Sequence, residues 1–288
     1  MNQPWFQDLL RHHFGHAVEV EHTRILGGGC INSCFQLQTS MGPLFIKYNQ
    51  AQYLDMFEKE ERGLTALLNP DILAIPKPIG AGIFSEYSYL LMEYIPSVAP
   101  DKQYWTMLGR GLARLHQITN ENFGWNESNY IGRLAQHNKW HPDWNEFFWT
   151  QRLQPQIKMA CDQNRLTPEQ VKSFNLLPSK FDQIFPSTSP ALLHGDLWSG
   201  NVMVGAQGEP VLVDPAVYYG HPEIELAFTK LFGGFDQEFY EAYGEMTTLD
   251  GGFQHRQDLY NLYPLLVHLN LFGKGYLADV LGVLKRYL

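Results

Sequence analysis

Short, partly alternating apolar runs fill the first hundred residues, and apolar positions at helical spacing fill the remainder. Val18 to Leu26, Cys34 to Gln38 and Leu44 to Tyr48 read as strands, punctuated by Gly27-Gly28-Gly29 and Met41-Gly42-Pro43. Tyr53 to Leu68 mixes Phe57, Leu64, Ala66 and Leu67 with charges, predicting a helix that Asn69-Pro70 stops. Strand character returns at Tyr89 to Ile95 and ends at Pro96. From Asp101, placed as an N-cap, Trp105, Leu108, Leu112 and Leu115 recur on one helical face. Helices are also expected over Trp144 to Ala160, over Pro168 to Phe185 and after Glu223. Asn120 to Trp144 is polar with little periodicity, and reads as a surface connection or as a packed insert. The order is a small β-rich lobe, a hinge near residues 93–100 and a larger helical lobe.

Composition narrows what such a chain can do. The 288 residues suit one large domain or two lobes sharing a cleft, and 44% hydrophobic with 14% aromatic residues is enough for a sizeable core. A formal charge of −9, with no run of Lys or Arg, argues against nucleic acid as the partner. The three cysteines, Cys30, Cys34 and Cys161, form no paired framework and point to a reducing compartment. No stretch reads as a signal peptide or a bilayer span, so a soluble, cytoplasmic protein without membrane association is expected.

The chemistry concentrates in LLHGDLWSGNVMV, residues 192–204, a polar loop between two apolar runs. His194, Asp196 and Asn201 have the H-x-D-L-x-x-x-N spacing with which kinases place a carboxylate at the attacking hydroxyl and a neutral oxygen on Mg²⁺. Alone, the motif reads equally as a turn at Gly195-Asp196 followed by an Asn cap. Val211-Leu212-Val213 then forms a buried-strand signature ending in Asp214, where a second Mg²⁺ ligand belongs. Upstream, Gly27, Gly28 and Gly29 could bring bare backbone N–H groups to phosphates. Lys47, in LFIKYN, follows an apolar strand as the V-A-I-K lysine does, and Glu60 is its candidate partner, with Glu58 and Glu61 as rivals. Met92, Glu93 and Tyr94 close a strand at the lobe boundary, where backbone groups could meet adenine.

The whole set resembles the fructosamine kinase (ketosamine-3-kinase) family, relatives of the aminoglycoside and choline kinases. GGGCIN, FIKYN, MFEKEERGL, FGWNESNYIG, HGDLWSGN, DPAVYYGHPEIELA, LFGGF and LNLFGKGY carry the likeness in order along nearly the full chain. It implies an α+β, two-lobed protein-kinase-like fold. Residues 1–95 would form a small antiparallel β-rich nucleotide-binding lobe with one main helix, and residues 96–288 a larger, mostly helical catalytic and substrate lobe. It implies Asp196 as catalytic base, Asn201 and Asp214 as Mg²⁺ ligands, Lys47 and Glu60 as the ATP-orienting pair, and Met92 to Tyr94 as the adenine segment. Trp198 and His268 match positions the family places by the sugar; from the residues alone, both read as well as core side chains. Glu225-Leu226 departs from the family's usual Asp-Leu, and Val267-His268 from its common Asn-His.

The implied reaction is ATP-dependent phosphorylation of the 3-hydroxyl of a ketoamine, either a small molecule or a glycated lysine on a protein, by a monomer or weak dimer. Two other readings stand beside it: phosphotransfer to an aminoglycoside or amino sugar, and a nucleotide-binding pseudokinase serving as an interaction module. Intact Lys47, Asp196, Asn201 and Asp214 speak against the last. Cys30, beside the glycine loop, is a candidate redox-active thiol or a half-buried turn residue.

Overall fold

Five antiparallel strands organise the first hundred residues, in the spatial order β1-β2-β3-β5-β4. The computed structural model describes residues 5–27, 32–68 and 72–288. In chain order the elements are α1 (Trp5–Phe14), β1 (Val20–Leu26), β2 (Ser33–Thr39), β3 (Gly42–Gln50), α2 (Leu54–Leu67), β4 (Pro78–Phe84) and β5 (Tyr87–Glu93). Both faces of the sheet are covered. Phe6, Leu9 and Leu10 of α1 cluster with Phe35, Leu37, Leu44, Ile46 and Leu91, while Phe57, Leu64 and Leu67 of α2 cluster with Leu90 and Met92. Two-residue periodicity sends Leu91 to one face and Leu90 to the other, so β5 reads as an unbroken apolar run rather than an alternation. The same periodicity decides where Lys47 points. Ile46 faces α1, and Lys47, paired across the ladder with Leu90, faces α2.

The larger lobe begins with α3 (Tyr104–Leu115) and two short paired strands, β6 (Asn129–Ile131) and β7 (Leu134–Gln136). A nearly continuous helix follows: α4 (Trp144–Phe147), a π-helical turn (Phe148–Leu153) and α5 (Gln154–Asp162). Then come α6 (Pro168–Phe174), α7 (Pro178–Ile184), β8 (Ala191–Leu193), β9 (Val202–Val204), β10 (Pro210–Leu212) and β11 (Tyr218–Gly220). The helices α8 (Pro222–Leu231), α9 (Gln237–Met246), α10 (Phe253–Phe272) and α11 (Leu277–Tyr287) complete the chain. The architecture is the expected one, a two-lobed α+β protein-kinase-like fold. Among the described residues no helix is long and apolar enough to cross a membrane.

Several elements differ from their expectation. The helix expected over 168–185 is two helices, because Pro178 opens a new first turn after α6. Asp101 does accept from the N–H groups of Gln103 and Tyr104, just ahead of α3. The polar stretch 120–144 is an insert rather than a surface connection: Asn129, Gln136 and Asn138 are buried and hydrogen-bonded to one another. Helix α1 and strand β4 were not foreseen. The strand PIGAGIF carries a Pro and two Gly, residues that argue against a strand.

Candidate active site

The polar loop is held from beneath. β8 pairs with β11, and the Ala216 N–H donates to the His194 carbonyl at 2.8 Å. The chain then turns through Gly195 at φ +85°, where a Cβ would stand 2.0 Å from the Ala216 carbonyl oxygen, so no other residue fits. Both loop N–H groups that point inward end on one carboxylate: His194 N–H donates to Glu225 Oε2 (3.1 Å) and Gly195 N–H to Glu225 Oε1 (2.6 Å). His116 Nε2 donates to Glu225 Oε2 at 3.0 Å, and its Nδ1 accepts from the Tyr243 hydroxyl at 2.9 Å. Burial opposes charge on Glu225, but the His116 bond and the neighbouring donors outweigh it and hold its pKa below the usual range. The longer Glu at this departure from the family pattern therefore still reaches the loop backbone.

His194 is a clamp. Its Nε2 donates to the Val213 carbonyl (2.9 Å), which leaves Nδ1 to accept the Asp196 N–H (3.3 Å). Burial lowers its pKa and keeps the ring neutral, as that pair of bonds requires. Asn201 ties the same two segments together. Its Nδ2 donates to the Asp196 carbonyl (2.8 Å) and to Asp196 Oδ2 (3.1 Å), and its own carbonyl accepts the Val213 N–H (3.0 Å). With Nδ2 spent on Asp196, the polar atom left to Asn201's side chain is a carbonyl oxygen, the ligand type a hard cation takes. Burial raises the Asp196 pKa well above the usual carboxylate value; the Asn201 bond opposes that, and the charges of Asp214 and Glu225 add to it.

Asp214 follows at φ +57°, a left-handed conformation that Asp tolerates better than most residues. Its Oδ1 accepts from Lys47 Nζ, which also donates to Glu60 Oε1 at 2.6 Å. Of the three glutamates considered on α2, Glu60 makes this contact; Glu61 accepts instead from the Ala81 N–H. Burial would depress the Lys47 pKa, but the two carboxylates overcome it and hold the ammonium firmly charged. One cation thus joins the sheet, α2 and the segment after β10. Gly28, Gly29 and Cys30 lie outside the described residues, and Gly27 has open space where a Cβ would project.

Trp198 is 40% exposed, so it is not a core residue, and its ring lies over Gly200. His268 lines the same pocket as Gly195, Asp196, Tyr218 and Tyr263. Its Nδ1 donates to the Pro264 carbonyl (2.7 Å), and burial lowers its pKa, leaving Nε2 as an acceptor. Glu93 donates its N–H to the Lys77 carbonyl and is thereby committed to the sheet. A larger groove, about 840 Å³, runs behind the crossing segment between Tyr94 and Arg110; none of Lys47, Asp196, Asn201 or Asp214 lines it.

Arg152 carries no sequence signal, since an Arg in a helix ordinarily faces solvent. Here it is fully buried in the π-helical turn, 3.9 Å above the Tyr218 ring, and donates to the His137 carbonyl and to Asn138 Oδ1. It backs two of the tyrosines that wall the Asp196 pocket.

The fructosamine kinase family model matches residues 3–288. This chain belongs to that family. A protein of Synechocystis sp. named as a probable ketoamine kinase is 38% identical over 277 residues, covering 95% of this chain and 92% of its own. The protein-ribulosamine 3-kinase of Arabidopsis thaliana chloroplasts is 37% identical over 280 residues, 95% of this chain and 85% of that one. A solved structure from Thermobifida fusca superimposes with a TM-score of 0.85 at 29% identity, over 98% of this chain and 97% of that one. General ketoamine kinase activity and a phosphotransferase fold that binds ATP follow from membership.

Proposed function

We propose that this family member transfers the γ-phosphoryl group of ATP to the 3-hydroxyl of a ketoamine, the product of a sugar and an amine. The observation that carries the reading is that the Lys47–Asp214, Asn201–Asp196 and Asn201–Val213 bonds link one buried cation, two carboxylates and one amide into a connected set.

Asp196 accepts the proton of the 3-hydroxyl as its oxygen bonds to the γ-phosphorus. The bond from phosphorus to the β,γ-bridging oxygen breaks, and ADP leaves. Lys47, oriented by Glu60, meets the phosphates once Asp214 turns from it. Asn201, through its side-chain oxygen, and Asp214, through its carboxylate, would hold Mg²⁺, a hard cation that takes oxygen ligands. When bound, that ion neutralises charge developing on the β- and γ-phosphates. Because Glu93 N–H is committed to Lys77, the backbone donor to adenine comes from Tyr94 onward within the Met92–Tyr94 crossing. The glycine loop, Gly27 to Gly29, covers the phosphates. His268 Nε2 accepts a hydroxyl or ammonium proton of the substrate, and the exposed Trp198 ring covers the sugar. Phosphate at C3 sits next to the C2 ketone, so enolisation towards C1 allows its elimination, and hydrolysis then frees the amine. The product is unstable by design of its own bonds, and the kinase promotes deglycation.

ADP release with fructose-, ribulose- and erythrulose-derived ketoamines, beside an aminoglycoside control, tests the assignment. Phosphorylation of the aminoglycoside alone overturns it. Asp196→Asn should keep ATP affinity while losing about 10²-fold or more in kcat, the scale of general-base catalysis. Turnover comparable to wild type in that variant removes Asp196 from its role.

A further inference from the structure

One wall of the Asp196 pocket is His268, whose ring packs against aromatic side chains that the phosphoryl-transfer chemistry does not use. His268 lines the pocket and is in ring contact with Phe232 (4.8 Å between centroids), Tyr276 (5.1 Å) and Phe272 (5.4 Å). Phe228, also in the pocket lining, lies 6.0 Å from Phe232. Phe272 is 59% exposed and Phe232 42%, so two large rings stand in solvent at the edge of a polar site. They are continuous with the catalytic loop. Gly234, at φ +92°, approaches Ser199 so closely that a Cβ would stand 2.6 Å from the serine Cβ, which seats the segment after Phe232 beside Trp198.

We propose that Phe232, Phe272 and Tyr276 form a subsite for the group carried on the ketoamine's nitrogen, selecting amines with an aromatic or extended apolar substituent over small hydrophilic ones. The inference rests on a ketoamine being the substrate. Covalent geometry then places the occupant. With the 3-hydroxyl at Asp196, the amine nitrogen is three bonds from C3, at most about 4 Å away, so its substituent must leave the sugar pocket within one further bond. The element that the pocket shares with these rings is His268, so a substituent leaving past it meets them. A protonated secondary amine beside ring faces gains cation–π attraction, and a flat or alkyl substituent covers the exposed carbon.

The test uses two ketoamines of one sugar, made from benzylamine and from glycine. The full-length enzyme should show a kcat/KM ratio of about 3- to 10-fold in favour of benzylamine, the scale of one aromatic contact, carried in KM. Phe272→Ala and Phe232→Ala should bring that ratio towards one, and Phe272→Tyr should keep it. Both side chains are exposed enough for the alanine variants to fold. Equal kcat/KM for the two substrates in wild type, or a benzylamine preference that survives both alanine substitutions together, overturns the subsite and leaves the ketoamine assignment standing. Turnover of neither ketoamine overturns the assignment and the subsite with it.

Discussion

Lys47 ties a strand and a helix of the smaller lobe to Asp214 of the larger. It sits in a buried position between Glu60 and Asp214, so its charge compensates two carboxylates that would otherwise repel each other at close range. Removing a partner from such a cluster leaves the remaining charge poorly solvated, which costs more than the pair itself contributes. Lys47→Met should therefore destabilise the fold by about 1–3 kcal/mol, the cost of leaving a buried polar group without its partner and below that of breaking a fully buried pair, because Asp214 is half exposed. Adding Glu60→Gln should recover part of that loss. Urea midpoints of the single and double variants check this; a double variant less stable than Lys47→Met would refute the compensation. Lys47 and Glu60 were both legible from their positions after an apolar strand and on the following helix. What sequence spacing left open among Glu58, Glu60 and Glu61 was settled by which side of α2 faces Lys47. Arg152 was not legible at all, because its burial depends on Tyr218 and Asn138 arriving from other segments.

At the scale of elements, α8 shows how a helix start can confer pH dependence. Its N-cap is His221, whose Nδ1 accepts the Glu223 N–H, so the cap exists only while that nitrogen is unprotonated. Burial, with the Arg256 charge beside it, pushes the His221 pKa down to about 3. In the unfolded chain the same ring titrates near 6.5, so between those values the unfolded state binds a proton that the folded state excludes. Stability from this residue is complete above about pH 6.5 and is lost progressively as pH falls towards 3. His221→Asn keeps a capping oxygen and has nothing to titrate. Its denaturation midpoint should fall less steeply than that of wild type from pH 6.5 to 4, and parallel slopes would exclude the cap as the cause. Because α8 carries Glu225, which accepts from the N–H groups of His194 and Gly195 beside the proposed base, the same acid loss should reach activity.

For the whole molecule, the apolar core does not divide at the hinge. Phe57, Leu64, Leu67, Leu90 and Met92 from the smaller lobe belong to one cluster with the helices of the larger, and the α1 face of the sheet has a separate core. Unfolding should accordingly appear as a single calorimetric transition with equal calorimetric and van't Hoff enthalpies, and Phe57→Ala should shift that one transition. Two resolved transitions would show that the lobes unfold separately. The linear pattern of residues determined the strand and helix types, the lobe order and the family, since periodicity, turn residues and motif spacing are local properties. It left α1 unassigned although Phe6, Leu9 and Leu10 fall on one helical face, since a ten-residue helix is held by the sheet it packs on rather than by its own propensity. It also missed β4, whose Pro and Gly composition contradicts its strand. Only the tertiary structure decided that Glu225 reaches two backbone N–H groups, that Glu60 rather than its neighbours meets Lys47, and that Phe232, Phe272 and Tyr276 gather around His268. Those contacts join residues far apart in the chain, and their geometry follows from how packed elements cross.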